Sequence, residues 1–188
     1  MSAATVTPQS LRGHFLIATP YLGDPRFHGA VVYLCDHSDD GALGVMVNRP
    51  LEISLGEVLE QLDMEGGELD CPVFSGGPVE PERGFVLHEP AMTWQATTPI
   101  SNDIMLTTSR DVLASIGEGE GPPRYRVALG YSGWSEGQLE SELAGNAWLT
   151  CPANAELLFG SDWENLYSAV LRQLGIDLNQ LSDSIGHA

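Results

Sequence analysis

Short apolar runs, many of them β-branched, alternate with Gly, Pro and Asp along most of the chain. This pattern predicts partly buried strands, because residues that break regular structure bound each run. The predicted strands are 15–18, 30–35, 42–47, 84–87, 104–107, 125–129 and 147–150. The polar segment 36–41 separates the second strand from the third, so we expect these two strands to form a hairpin.

Three Ser-x-x-Glu or Ser-x-x-Gln signals predict where helices begin. In such a capping box, the serine and the acidic or amide side chain satisfy each other's free backbone N–H groups. The signals begin at Ser54, Ser135 and Ser161, and the helices that they predict are 55–62, 136–144 and 162–174. A fourth helix, 110–116, is predicted before Gly117.

The interspersed strands and helices indicate a single compact α+β domain with a mixed β-sheet and about four helices. A chain of 188 residues, 43% of them hydrophobic, can bury a core without metal ions or disulfide bonds. The domain is expected to span residues 10–181, between flexible tails at 1–9 and 182–188. No apolar run approaches the roughly 20 residues of a membrane helix, which favours a cytoplasmic protein without membrane contact.

The charge of the chain narrows its range of partners. There are 26 acidic and 8 basic residues, giving a formal net charge of −18, and every basic residue is an arginine. An acidic surface repels phosphate backbones, and no helix-turn-helix pattern emerges. Direct nucleic-acid binding is therefore not expected.

The cysteines and acidic residues do not have the spacing of a metal site. Cys35, Cys71 and Cys151 lack the C-x-x-C spacing of zinc and dithiol sites, so we expect reduced, buried thiols. Cys71 and Cys151, each followed by proline, are the stronger candidates for a reactive thiol. The acidic turn 36–40 matches neither a calcium loop nor a zinc pattern. We expect no metal and no cofactor.

One candidate for ligand contact lies between a predicted strand and a predicted helix. Tyr131, Ser132, Gly133 and Trp134 stand where a turn and free helix N–H groups could together hold an anion. Alternatively, Gly133 only permits a turn and Trp134 packs in the core. The segment lacks the second glycine of a G-x-S-x-G nucleophile elbow, so a serine hydrolase is not indicated.

A second candidate is the glycine pair Gly76-Gly77. Two glycines allow a tight turn and a close approach of the backbone to a ligand. The alternative is a plain turn. The downstream lysine and hydroxyl of a Walker loop are absent, which argues against nucleotide hydrolysis.

Segments 44–50 and 84–90 share the order Gly, three apolar residues, two polar residues, Pro. The pattern predicts two similar strands that each present a polar pair before a proline. Chance similarity is the alternative, since two copies do not make a repeat protein.

The two polar pairs form a third candidate. If these strand ends lie side by side, Asn48, Arg49 and His88 converge with Glu89. Arg49 could then bind a carboxylate or phosphate in bidentate geometry. An Arg49–Glu89 ion pair that only fastens two loops is the alternative.

Several motifs occur in a fixed order along the chain. They are Gly13-His14-Phe15-Leu16, Asn48-Arg49-Pro50, Gly76-Gly77-Pro78-Val79, Arg83-Gly84-Phe85-Val86-Leu87-His88, Leu129-Gly130-Tyr131-Ser132-Gly133-Trp134, Gly137-Gln138-Leu139-Glu140 and Asn146-Ala147-Trp148-Leu149. With them, the chain resembles the YqgE/AlgH family of bacterial proteins over about nine tenths of its length. The resemblance implies a compact α+β domain and carries no catalytic residues over. One branch of that family is labelled a transcriptional regulator connected with alginate production.

These observations favour a non-catalytic binding or regulatory protein, with a pocket for a small anionic molecule or a segment of a protein partner. Its ligand-binding residues would be drawn from the three candidates above, and Arg49 is the side chain most expected to separate function from folding. Two alternatives remain. The family label suggests a transcriptional regulator, acting directly or indirectly, and His88 or a cysteine could serve an enzyme.

Overall fold

The computed structural model describes residues 10–176, in which strands outnumber helices. The strands are β1 (His14–Ala18), β2 (Val31–Ser38), β3 (Gly41–Met46), β4 (Pro50–Ser54), β5 (Pro72–Ser75), β6 (Val79–His88), β7 (Thr97–Pro99), β8 (Met105–Thr107), β9 (Tyr125–Trp134) and β10 (Trp148–Pro152). The α-helices are α1 (Leu55–Gln61), α2 (Asp111–Gly117), α3 (Gln138–Ala144), α4 (Ala155–Gly160) and α5 (Trp163–Gln173), and a 3-10 turn spans Pro25–Phe27. The tails predicted at 1–9 and 182–188 lie outside the described residues.

The strands form one curled sheet in the order β10-β1-β2-β3-β9-β6-β8-β7, with β4 and β5 attached beside β9. The pairings are antiparallel except for β5, which runs parallel to β9. The predicted α+β class with a mixed sheet is confirmed. The predicted hairpin is formed by β2 and β3, and β2 runs three residues and β3 one residue further into the polar segment than the sequence indicated.

Helices cover both faces of the sheet. Successive residues of a strand point to opposite faces, so Phe15 joins the layer packed against α4 and α5, whereas Leu16 joins the layer packed against α3. Further along the second face, α1 and α2 pack on β6 and β9 around Val86 and Val127. Within residues 10–176, no helix combines the length and apolarity that crossing a lipid bilayer requires.

The first helix start follows the predicted capping box. The Ser54 hydroxyl accepts a hydrogen bond from the Glu57 N–H (3.2 Å), and the Glu57 carboxylate accepts one from the Ser54 N–H (3.0 Å). At Ser135 only half of the box forms. The Gln138 side-chain oxygen accepts from the Ser135 N–H (3.0 Å), but Gly137 intervenes in a left-handed conformation and the helix begins at Gln138.

The third predicted helix start is displaced because the sequence reading missed a helix. Ser161 follows the end of α4, and α5 begins at Trp163 without a side-chain cap. The start of α4 is capped by Asn154, whose side-chain oxygen accepts from the Leu157 N–H (2.8 Å). An Asn cap without Glu or Gln three residues later lies outside the Ser-x-x-Glu pattern. Residues 10–176 therefore contain one α-helix more than the four indicated by the sequence.

Candidate functional site

The segment 130–134 is part of a strand, which corrects the predicted turn. Ser132 and Trp134 continue β9 and pair with Gly44 and Ala42 of β3, and Tyr131 pairs with Val79 of β6. The backbone here is committed to the sheet, so the strand-turn-helix arrangement that could hold an anion is absent. Tyr131, Gly133 and Trp134 instead help to line a shallow surface hollow beside the β2–β3 hairpin.

The glycine pair 76–77 lies tightly against β9. The Gly76 carbonyl accepts from the Met46 N–H (2.8 Å) and from the Ser132 hydroxyl (3.1 Å). A Cβ atom on Gly76 would come closer than 3.0 Å to the carbonyl oxygen of Gly130, and one on Gly77 would do the same to the backbone of Tyr131. Close packing of the backbone therefore explains both glycines.

The predicted polar pairs do not contact each other. The Asn48 side chain accepts from the Val31 N–H (2.9 Å) and donates to the Gly29 carbonyl (3.0 Å). Arg49 donates to the carbonyls of Arg26 and His28 at the end of the 3-10 turn. A guanidinium can thus be satisfied at a strand end by free carbonyls of a neighbouring turn, which the sequence analysis did not anticipate.

Glu89 pairs with an arginine other than Arg49. Its two carboxylate oxygens accept from Arg124 Nε and Nη2 at 2.9 and 3.0 Å, and Glu156 adds a weaker contact to Arg124 at 3.2 Å. These hydrogen bonds from Arg124 lower the pKa of the Glu89 carboxyl. The expected Arg49–Glu89 ion pair is not formed.

His88 is fully buried at the end of a chain of neutral hydrogen bonds. Its Nδ1–H donates to the Glu89 carbonyl (2.9 Å), so Nε2 accepts from the Thr107 hydroxyl (2.7 Å). Thr107 in turn contacts the Thr97 hydroxyl (2.8 Å), which accepts from the Trp94 N–H (2.7 Å). Every polar atom of the imidazole has a partner within the protein, and burial lowers the pKa of His88. These contacts indicate a neutral, structural histidine.

The stability of the protein is expected to fall as the pH drops from about 6.5 to about 5.5, because of His88. Since its pKa is lowered in the folded state, stability is complete above the unfolded pKa of about 6.5 and declines below it, where only the unfolded chain binds the proton. Urea denaturation should show a loss of up to about 1 kcal/mol that His88→Gln removes. An equal loss of stability in wild type and in His88→Gln would contradict this role of His88. The exposed His28, as His28→Gln, is the control.

Two of the three cysteines are buried, and all three are free thiols. Burial raises the pKa of Cys35 to about 12 and also raises the pKa of Cys151. A nucleophilic cysteine needs its thiolate, so these two positions are unsuited to catalysis. Among the described residues, no three His, Cys, Asp or Glu side chains lie close enough together to hold a metal ion.

The acidic turn 36–40 contains one buried residue, His37, among exposed ones. His37 is buried, its Nδ1 accepts from the Leu11 N–H (2.9 Å), and its Nε2–H donates to the Glu140 carboxylate (2.9 Å). This contact fastens the hairpin to α3, and it lowers the pKa of Glu140. The histidine therefore has a structural role.

A groove of about 520 Å³ lies between α1, α2 and the outer face of β6. We call it the α1–α2 groove. Its apolar lining consists of Ile53, Val58, Leu62, Val86, Leu113 and Leu129, and its polar lining of Gln61, Glu82, Arg83, Gly84, Thr107, Thr108, Ser109 and Arg110. The volume is within the range of small-molecule sites, which are mostly apolar with a few polar groups.

Two arginines border the α1–α2 groove. Arg110 is exposed and donates to no protein group in the part of the chain that the structure describes. Arg83 makes a long contact with Glu80 (3.3 Å) and lies 5.2 Å from the ring centre of Phe85, with about half of its side chain exposed. Glu82 is the one carboxylate in the lining, and the Arg83 guanidinium lies against Phe85, which packs on the opposite face of the sheet.

No motif in the sequence indicates this groove. Its residues come from four separate segments, and no spacing along the chain signals that these meet. Arg83 and Gly84 belong to a motif that carries the family resemblance, but Arg110 was only the first residue of the predicted helix 110–116. Packing of α1 and α2 on one face of β6 brings them together.

Comparisons with known proteins confirm the family. A family model described as AlgH-like matches residues 15–179. A UPF0301 protein of Hahella chejuensis is 51% identical over 95% of this chain and 97% of its own length, and one of Shewanella frigidimarina is 50% identical over 95% and 99%.

Solved structures agree with the sequence comparison. The solution structure of the AlgH protein from Pseudomonas aeruginosa has 43% identity and a TM-score of 0.79, covering 94% of this chain and 95% of that chain. A protein of Corynebacterium diphtheriae, 18% identical, has a TM-score of 0.69 over 88% and 87% of the two chains and shows a shared fold alone. Because model, relatives and structure agree over nearly the whole length, this chain belongs to the AlgH-like family.

Proposed function

We propose that this protein is a non-catalytic binding protein whose α1–α2 groove holds a small amphipathic anion, with an apolar body and a carboxylate or phosphate at one end. The observation that carries the proposal is an arginine, Arg110, that has no hydrogen-bonded partner among residues 10–176 and lines an apolar groove in a chain of net charge −18.

Charge complementarity supports an anionic end group. Six of the eight arginines donate to carboxylates or carbonyls, and within residues 10–176 only Arg110 and Arg172 do not. A guanidinium offers five N–H donors and binds carboxylate or phosphate in bidentate geometry. The hydroxyl of Thr108, which makes no hydrogen bond within residues 10–176, belongs to the same lining, whereas that of Ser109 already donates to the Asp111 carboxylate.

The rest of the lining supports an apolar body. Leu62 lies at the end of α1 and Leu113 in α2, and Ile53 and Leu129 extend from the strands. Burying apolar surface against such a lining contributes roughly 25 cal/mol per Å². A groove of this size suits a small molecule better than a protein surface, since protein interfaces are much larger and flatter.

Side chains able to perform chemistry are engaged elsewhere, which supports binding without catalysis. The hydroxyl of Thr107 is held between His88 and Thr97, and the residue is fully buried. The thiols of Cys35 and Cys151 are buried as well. Direct binding to duplex DNA is not part of the proposal, because most arginines already serve protein groups and the net charge opposes it.

Decanoate and decyl phosphate, below their micelle-forming concentrations, are expected to raise the melting temperature of the wild-type protein, whereas decylamine is not. Arg110→Ala should weaken decanoate binding at least tenfold in calorimetry, equivalent to about 1.4 kcal/mol, because the guanidinium is the main anion contact. The melting temperature of unliganded Arg110→Ala should stay within about 2 °C of wild type, since the side chain makes no hydrogen bond or ion pair within residues 10–176.

Two further arginine variants are the controls. Arg172→Ala removes an exposed charge on α5 and should leave decanoate affinity unchanged. Arg49→Ala should lower stability by about 1 kcal/mol, through the loss of its two carbonyl partners, and also leave affinity unchanged. Absence of decanoate and decyl phosphate binding at millimolar concentration would overturn the proposal. So would a loss of binding in Arg49→Ala but not in Arg110→Ala, which would return the site to Arg49.

A further inference from the structure

We propose that Gly84 determines how long an apolar chain the α1–α2 groove accepts, an inference that rests on the proposed function. The missing side chain at this position keeps the floor of the groove open. Gly84 thus acts as a specificity-determining residue for the apolar part of the ligand.

Other glycines in the sheet are explained by their own surroundings. A Cβ atom on Gly44 would come closer than 3.0 Å to a Val32 methyl group, and Gly130 has a left-handed φ of 81° as well as a close carbonyl. At such positions a side chain would clash or strain the backbone. Their glycines are required by the fold.

Gly84 has neither constraint. An added Cβ atom would meet no heavy atom within 4 Å, and its φ lies outside the left-handed region. Glycine inside a strand also weakens that strand, through greater chain entropy and the loss of packing. The fold alone therefore does not account for glycine at this position.

The register of β6 shows where a side chain at position 84 would point. Residues Gly84, Phe85 and Val86 pair regularly with Leu129, Ala128 and Val127 of β9. Val86 lines the groove, and Phe85 packs in the layer on the opposite face. Because alternate residues share a face, a side chain at 84 would project into the groove, next to Leu129.

A ligand chain that lies along Val86 and Leu129 would pass over Gly84. Any larger side chain there would occupy the space of terminal methylene groups and shorten the accepted chain, while Arg110 would still hold the anionic end. The two ends of the groove would thus select different properties of the ligand.

The test compares hexanoate, octanoate, decanoate and dodecanoate binding by calorimetry in wild type, Gly84→Ala and Gly84→Leu. Wild type is expected to bind decanoate at least tenfold more tightly than hexanoate. Gly84→Leu should bind the two within twofold, because the methylene groups of decanoate lose their space, and Gly84→Ala should fall between. Hexanoate affinity should change less than threefold in both variants.

Gly23→Leu is the matched control, because Gly23 is equally free of close neighbours but lies outside the groove. It should keep the wild-type preference. If wild type binds none of the carboxylates, the proposed function fails and this inference fails with it. If wild type binds them and Gly84→Leu keeps a tenfold preference for decanoate, the role of Gly84 is overturned while the binding function stands. Gly84→Ala keeps the test valid should the leucine variant prove poorly folded by circular dichroism.

Discussion

Gly76→Ala is expected to destabilise the protein by about 3 kcal/mol, the upper part of the range for overpacking in a close-packed interior. The added methyl group would overlap the Gly130 carbonyl oxygen, which belongs to the backbone of β9 and cannot rotate away. Nor can Gly76 itself shift, because its N–H donates to the Leu129 carbonyl (2.8 Å) and its carbonyl accepts from the Met46 N–H. Equilibrium urea denaturation measures the effect.

Gly84→Ala is the matched control for this prediction. It introduces the same methyl group on β6, which pairs with the other edge of β9, in open space. Its stability should equal that of wild type or exceed it by about 0.5 kcal/mol, through reduced entropy of the unfolded chain. If the free energies of unfolding of the two alanine variants differ by less than about 1 kcal/mol, close packing does not explain Gly76.

Thr107→Val should cost about 2 kcal/mol of the free energy of unfolding. The substitution keeps the volume of the side chain but removes the hydroxyl that serves both His88 Nε2 (2.7 Å) and the Thr97 hydroxyl (2.8 Å). His88 and Thr107 are both fully buried, so water cannot replace the lost Thr107 hydroxyl. Leaving a buried acceptor unpaired costs roughly 1 to 3 kcal/mol.

The adjacent Thr108 provides the control for the hydroxyl. It is half-buried, lines the α1–α2 groove, and uses only its backbone N–H in a hydrogen bond, to the Ala96 carbonyl (3.1 Å). Thr108→Val should change stability by less than about 0.5 kcal/mol. Equal losses in Thr107→Val and Thr108→Val would show that the hydrogen-bonded chain from His88 to Trp94 contributes little.

Local sequence patterns predict the structure most reliably where a short stretch of chain determines the helix or strand that forms. The capping box at Ser54 forms as predicted, because both of its partners lie within one helical turn. The strand at 84–87 and the β2–β3 hairpin could be predicted because nearby residues that break regular structure mark the ends of their apolar runs. The family could also be inferred from ordered motifs, since these need no knowledge of contacts.

The role of a polar residue depended on partners far along the chain. Arg49 and Glu89 were expected to face each other, but Arg49 bonds to the turn before β2 and Glu89 to Arg124, because strand order and not sequence order decides the neighbours. Segment 130–134 carries two glycines and was read as a turn. Pairing with β3 and β6 on either side overrides that local preference.

By itself, the sequence determined the α+β class, the apolar strands, the acid excess and the family, because composition and short-range periodicity carry this information. Tertiary structure alone decided which glycines pack against backbone and which leave space, and which arginines are engaged. Gly76 lies against a carbonyl of β9, whereas Gly84 opens onto the α1–α2 groove. The difference arises from what lies opposite each residue across the sheet, and local sequence does not encode that distance.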